Sequence, residues 1–302
     1  MATSTNTAPR RPARIVSPVR RRRAGAGVSR LGETLLCLAI LGCVLLPVVW
    51  LLLLSVKPLG ETYALPVQWW PQAPTFEAYR QVWFSEGVGA QWLRFLLNTS
   101  IVAVVVSVLT SGIGMYMGYV LARVAKRWVV GVLMLIIVVQ LLEGPALVVP
   151  IYVLTHAIGL HDTLIGYMLA LLVFMLPFGT LINYNYARTV PLELEEAGRI
   201  DGANRWQIFA RIFVPLSRPG LITTGLMTFL LTWGEYPLSL ILLESSSNHT
   251  VARGLYDLIS GLNVYWNQMA AAAVIVSIPV LAVLILAQRY LVRGLMSGAS
   301  KG

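Results

Sequence analysis

EEAGRIDGANRWQIFARIFVP, residues 195–215, lies between two long apolar runs and carries six charged side chains: Glu195, Glu196, Arg199, Asp201, Arg205 and Arg211. Its surroundings are very different. Of 302 residues, 57% are hydrophobic and only 12% charged, with a mean hydropathy of +0.73, against roughly 25% charged residues in ordinary soluble domains. The chain is therefore predicted to be a membrane protein whose one strongly polar internal segment has a task outside the hydrocarbon.

A bilayer-spanning helix needs about 20 predominantly apolar residues. Six runs qualify, at 35–56, 95–122, 129–150, 164–186, 221–243 and 269–287. Their apolarity is continuous, whereas barrel strands would alternate between a lipid face and a lumen face. The predicted fold is all-α and polytopic, with six transmembrane helices and a cytoplasmic helical segment between the fourth and the fifth. Lys and Arg choose the side. Nineteen of the 23 fall on one set of loops and tails, including eight arginines between Arg10 and Arg30, and only Lys57, Arg80, Arg94 and Arg253 fall on the other. The positive-inside bias thus puts both termini and residues 195–215 in the cytoplasm. The net charge of +10 is mostly topology, and no folded basic domain argues for nucleic acid. Residues 1–30 read as a disordered basic tail, 31–293 as the permeating domain with its polar segment at 190–215, and 294–302 as a glycine-rich tail. The first apolar run exceeds the 7–15 residues of a signal-peptide core, so it is expected to remain as an anchor helix.

The polar segment has its own grammar. Val190 and Pro191 suit a helix start, and Glu193, Glu195 and Glu196 place negative charge at the positive end of the helix dipole. Ala197 and Gly198 leave the helix surface bare. Gly202 permits a left-handed turn, and Asn204 with Gln207 forms a reciprocal capping pair for a second helix. In that helix Ile208, Phe209, Ile212 and Phe213 share a stripe, and Pro215 is expected to end it. A helical loop lying on the membrane would need the stripe alone. A knob built to enter another protein's groove also needs the acidic start, the bare surface and the fixed turn.

Within the spans, prolines at 47, 150, 177, 237 and 279 suggest kinked helices around a pathway. Gln140, Glu143, Asn183 and Glu235 are the candidate pathway residues. A carboxylate at mid-bilayer costs about 2.5–3.5 kcal/mol, so Glu143 and Glu235 should face protein or water. Counting about 1.5 Å per residue from Val129 puts Glu143 roughly 21 Å along its helix, and Glu235 lies at a similar depth in the fifth run. Two acids at matched height either line a cavity or tie broken helices to their neighbours; the residues alone leave both open. Aromatics in the first outer connection, Tyr63, Trp69, Trp70, Tyr79 and Trp83, suit a headgroup interface. Cys37 and Cys43 suggest packing and no disulfide.

At this point the residues resemble a known family. Glu196-Ala197, three residues, Gly202, nine residues, Ile212, one residue, then Val214-Pro215 is similar to the cytoplasmic signature of permease subunits of binding-protein-dependent ABC importers, Glu-Ala-Ala-x3-Gly-x9-Ile-x-Leu-Pro. The chain departs from it at Gly198 and Val214. From residue 35 onward, LPVQWWPQAPTFEAY, IYVLTHAIGLHDTLIGYMLA, LPFGTLINYNYARTVPLELEEA, LTWGEYPLSLILLE and QRYLVRGLMSGASKG resemble the six-span partner of the maltose-type carbohydrate-uptake permeases.

That resemblance implies a second permease subunit, two cytoplasmic ATPase subunits, an external solute-binding protein, a carbohydrate substrate and residence in a prokaryotic cytoplasmic membrane. It also implies a coupling helix for ATPase docking at Glu195, Glu196, Ala197, Gly198, Asp201, Gly202, Ala203 and Asn204. A tail contact with the ATPase falls at Ser297, Gly298 and Lys301, and binding-protein contacts fall at Ser246, Asn248 and His249. The chain carries no G-x-x-x-x-G-K-[ST] phosphate loop, so ATP and Mg are expected on the partner, with no cofactor and no metal held here. No H-E-x-x-H helix or G-x-S-x-G elbow occurs, and His156, His161 and His249 read as scattered over the outer loops, so no catalytic residues are assigned. The alternatives are an ion-gradient-driven secondary transporter, which would share the spans and prolines, and a membrane scaffold.

Overall fold

The structure is a computed structural model that describes residues 26–85, 88–124, 127–141, 145–260 and 263–299. Most of the N-terminal tail, Glu143 and Lys301 lie outside the described residues. The regular structure of the described residues is helical apart from one antiparallel pairing, β1 (Ile259–Ser260) with β2 (Asn263–Val264). It divides into two units, 1–50 and 51–302.

Helix α1, Ala26–Ser55, contains the described residues of the first unit, and its leucines and valines from Leu35 to Val49 are exposed, as lipid-facing side chains of a span would be. Cys37 and Cys43 are free thiols on it. In the second unit, Tyr63, Trp69 and Trp70 of the outer connection are exposed, while Trp83 packs on Trp92 at 5.6 Å.

The long helices of the second unit are α2 (Val88–Arg123), α5 (Leu164–Ala187) and α11 (Trp266–Ala299), the last preceded by the short α10 (Val251–Asp257). Among the described residues, four helices, these three and α1, are long and apolar enough to cross a membrane. The other two expected spans are not single helices. Residues 129–150 divide between α3 (Arg127–Leu141) and α4 (Pro145–Ala157), the latter opening on a proline, which lacks only a donor that the first turn leaves unused. Residues 221–243 divide between α8 (Arg218–Trp233) and α9 (Pro237–Leu242). The cause is again local: α8 closes on Gly234, and Pro237 starts α9.

Alpha2 is the hub, crossing both α5 and α8. Small residues let the backbones meet. A Cβ on Gly118 would sit 2.5 Å from the Tyr184 nitrogen, and one on Gly114 would sit 2.9 Å from the Gly179 carbonyl carbon. In lipid, where no hydrophobic drive pulls helices together, such close approach lets dispersion hold the bundle. Three apolar clusters fill the rest of the second unit, one of them Met115, Ala187, Val190, Phe209 and Phe213. Val102, Val106, Tyr167, Leu171 and Leu242 form another, and Trp92, Phe95, Phe229, Trp233 and Val276 the third.

Candidate functional site: a polar knob, its anchorage and the polar residues of the spans

Between α5 and α8 the chain builds α6 (Glu193–Ile200) and then α7, in which Arg205–Gln207, a π-helical stretch Ile208–Phe213 and Val214–Leu216 follow without a break. The start is two residues later than expected, with Leu192 at the cap position and Glu193, Glu195 and Glu196 in the first turn. The turn is as the residues predict. Gly202 has φ +82°, in the left-handed region that a side chain resists. Asn204 Oδ1 accepts from the Gln207 amide at 2.8 Å, and Gln207 Oε1 accepts from the Asn204 amide at 2.9 Å. Pro215 does not end α7; it occupies the opening turn of Val214–Leu216, where its missing donor costs little.

The two faces of α6 differ in destination. Glu196, Ala197, Asp201, Gly202 and Asn204 are exposed, with Ala203 half-buried. Apolar side chains stand among them: Ile200 is 86% exposed and Trp206 65%. Glu195 and Gly198, expected on the docking surface, point inward instead. A Cβ on Gly198 would lie 2.6 Å from Ile212 Cδ1 of α7, the far end of a flexible side chain, so the two helices of the knob pack closely here. Glu195 is 1% exposed. Helical spacing separates the sets: 193, 196, 197 and 200 follow the i, i+3, i+4, i+7 rule along one stripe, while 195 and 198 lie on another.

Glu195 is held by the last turn of α2. Arg123 Nε donates to its Oε1 at 2.7 Å and the Tyr119 hydroxyl donates to its Oε2 at 3.0 Å. The same guanidinium donates to the Ala187 and Val190 carbonyls at 3.0 and 3.1 Å. Tyr119 also packs on Phe213 at 4.5 Å and on Phe209 at 5.2 Å. Sequence reading counted Arg123 only as a cytoplasmic charge; nothing in its spacing announced the partner 72 residues on.

The pathway candidates do not converge. Asn183 is buried between helices, donating to Gly179 O at 2.8 Å and to the Thr224 hydroxyl at 2.9 Å. It lies eight residues beyond Met175, about 12 Å along α5. Glu235 caps α9. Its oxygens accept from the Leu238 amide at 2.7 Å, the Ser239 amide at 3.2 Å and the Tyr167 hydroxyl at 2.6 Å. The tie to a broken helix is therefore real, and the same carboxylate also borders a mainly apolar cleft with Val148, Phe174, Met175 and Leu231. Gln140 Nε2 is buried with no partner among the described residues.

Loop 244–250 is fastened by Asp162. Asp162, itself at φ 52°, accepts from the Glu244 and Ser245 amides at 2.9 and 3.1 Å and from the Ser245 hydroxyl. Burial alone would raise the Asp162 carboxyl. The Ser245 hydroxyl and amide, Asn248 and the Glu244 amide outweigh it and hold the group below the usual carboxylate range. Of the expected binding-protein contacts, Asn248 donates to the Asp162 carbonyl at 2.6 Å and His249 is buried against Asp257 at 2.9 Å, so only Ser246 is exposed. The histidines are less scattered than they read: His156 and His161 stack at 4.3 Å, and His161 meets Glu244 at 3.1 Å. Among the described residues no group of three or more His, Cys, Asp or Glu could hold a metal ion. Ser297 and Gly298 fall within α11.

Comparison with known proteins agrees with this architecture. Residues 111–297 match the family model described as "Binding-protein-dependent transport system inner membrane component". The chain is 32% identical over 258 residues, 85% of its length and 91% of the relative's, to the inner membrane ABC transporter permease protein YcjP of Escherichia coli. It is 31% identical over 268 residues, 87% and 94% of the two lengths, to the trehalose transport system permease protein SugB of Mycobacterium tuberculosis. Its fold is similar to a chain of a bacterial ABC transporter involved in import of the acidic polysaccharide alginate. There the TM-score is 0.70 at 21% identity, covering 89% of this chain and 98% of that one. With its all-α membrane body and a helix-turn-helix between α5 and α8, the chain belongs to the inner membrane components of binding-protein-dependent transport systems and is a permease subunit of an ABC importer.

Proposed function

We propose that this permease imports a sugar or related carbohydrate by alternating access, driven through its knob by a partner ATPase. The observation that carries the reading is a preformed helix-turn-helix whose tip exposes Ile200 and Trp206 beside Glu196, Ala197 and Asp201. An apolar tip ringed by polar groups is what a groove-filling surface needs, since the centre of an interface gains from desolvation while its rim stays wet. Glu195 and Gly198 belong to the knob's interior in this reading. ATP and Mg are held by two ATPase copies, and closure of that pair moves the knobs of this chain and of a second permease as rigid bodies. The cavity between the permeases then turns from inward-open to outward-open to receive solute from the binding protein.

The carbohydrate class is supported by the resemblance to carbohydrate permeases and by the trehalose system in the name of a 31%-identical relative. The concentration of arginine and lysine on one set of loops supports cytoplasmic termini. On the outer side Ser246 and its exposed neighbours face the binding protein, with Asn248 and His249 fixing the loop beneath them. The tail at Ser297, Gly298 and Lys301 reaches toward the ATPase pair.

Reconstitution tests the reading. In proteoliposomes, sugar uptake should require the ATPase, ATP and the binding protein together, and Gly202→Asp, which strains the turn at φ +82°, should abolish it. Uptake on an ion gradient without any ATPase would establish a secondary transporter instead.

A further inference from the structure

The knob is continuous in the chain with α5 and α8, so any displacement reaches those helices directly. Helix α2, the hub that both cross, has no such link. Its only polar grip on the knob among the described residues is the cluster at its last turn, where Arg123 and Tyr119 hold Glu195. We propose that Arg123 and Glu195 form the joint that delivers the knob's movement to α2, acting as positioning residues for coupling and not as part of the docking surface. This rests on the ATP-driven reading above.

The geometry suits a joint. One guanidinium reaches three acceptors: Glu195 of α6, the Ala187 carbonyl at the end of α5, and the Val190 carbonyl in the connection between them. A planar fork bonded this way fixes an angle as well as a distance, which apolar packing alone does not. The second Glu195 oxygen is taken by Tyr119, whose ring lies against Phe213 and Phe209 of α7, so α2 grips both helices of the knob at once. The pair is screened from water, with Glu195 1% and Arg123 12% exposed at the side chain. A cation at the C-terminal residue of α2 also faces the negative end of that helix's dipole. A surface ion pair would exchange with water and slip; this one is enclosed.

The experiment uses the whole importer in proteoliposomes and reads three quantities: ATPase bound per permease, ATP hydrolysed, and sugar taken up per ATP. For Glu195→Ala and Arg123→Ala the docking face is untouched. Bound ATPase should stay at the wild-type ratio while uptake per ATP falls at least tenfold. Glu195→Gln, which keeps an oxygen for Arg123, should fall between these and wild type. If the alanine variants do not assemble, Glu195→Gln and Tyr119→Phe carry the test, since each keeps the packing and should still lower uptake per ATP severalfold. Uptake and hydrolysis falling together at an unchanged ratio would overturn the joint in favour of a purely structural pair. Loss of bound ATPase from well-folded Glu195→Gln would return Glu195 to the docking surface and also overturn it. Wild-type uptake without ATPase would instead defeat the underlying ATP-driven reading, whatever the variants do.

Discussion

Ile200 offers the cleanest probe of docking because its side chain contributes almost nothing to the fold of this subunit. At 86% exposed, its replacement by serine should change permease stability by no more than about 0.5 kcal/mol, the usual range for surface positions. If the side chain is buried in an ATPase groove, the same change forfeits about 1.5–3 kcal/mol of apolar burial, which at 1.4 kcal/mol per decade is a roughly 10- to 150-fold weaker complex per knob. Ile200→Val removes one methylene, about 0.8 kcal/mol, and should weaken binding roughly fourfold. The assay is titration of purified ATPase onto nanodisc-embedded permease, with thermal unfolding of the permease alone as the control. A graded loss from isoleucine through valine to serine, at constant unfolding temperature, is expected. Affinity within about twofold of wild type for Ile200→Ser would refute the reasoning, whatever the fate of uptake.

Other positions separate packing from conformation. Gly118→Ala should destabilise the bundle by about 1–3 kcal/mol as α2 and α5 are forced apart, because the new Cβ meets backbone at 2.5 Å; a lowered unfolding temperature in detergent checks it. Gly198→Ala should be close to neutral. The helix gains up to about 1 kcal/mol while the clash falls on the flexible end of Ile212, and uptake and unfolding temperature should both stay near wild type. Asp162 predicts a pH dependence for loop 244–250. Its carboxyl is lowered on folding, so its contribution is present above the ordinary carboxylate value of about 3.9 and is lost as pH falls through the lowered one. Protection of the Glu244 and Ser245 amides, measured against their intrinsic exchange rates at each pH, should therefore hold at neutral pH and fall only in acid, whereas Asp162→Asn should lower it throughout.

Much of this was legible in the sequence because lipid enforces simple rules. Runs of apolar residues marked the four helices that are long and apolar enough to cross a membrane, and Gly202, Asn204 and Gln207 specified the turn of the knob through chemistry local to six residues. What stayed hidden depended on distant partners. Glu195 looks like its neighbour Glu196, and only the end of α2, 72 residues away, makes one a buried strut and leaves the other in solvent. Asn183 read as a pathway group because it is polar in an apolar run, yet Thr224 and Gly179 claim it. The residues alone leave both roles of Glu235 open; the cap on α9 accounts for two of its carboxylate's bonds and Tyr167 of α5 for the third. The break after Trp233 could have been taken from Gly234 and Pro237, which together favour ending one helix and starting another. The pairing of His156 with His161 follows from the loop that turns back between α4 and α5, which five residues of spacing do not reveal.

The claim most exposed to test is that the outward stripe of the knob, and not its inward one, meets the ATPase. Single cysteines at Ala197, Asp201 and Gly198, joined to a short thiol-reactive photo-cross-linker in membranes holding the whole importer, address it directly. Ala197→Cys and Asp201→Cys should give an adduct with the ATPase subunit that disappears when the ATPase is stripped away, and Gly198→Cys should react only within its own chain. An ATPase adduct from Gly198→Cys alone, or none from Ala197→Cys and Asp201→Cys in an importer active in uptake, would contradict the account.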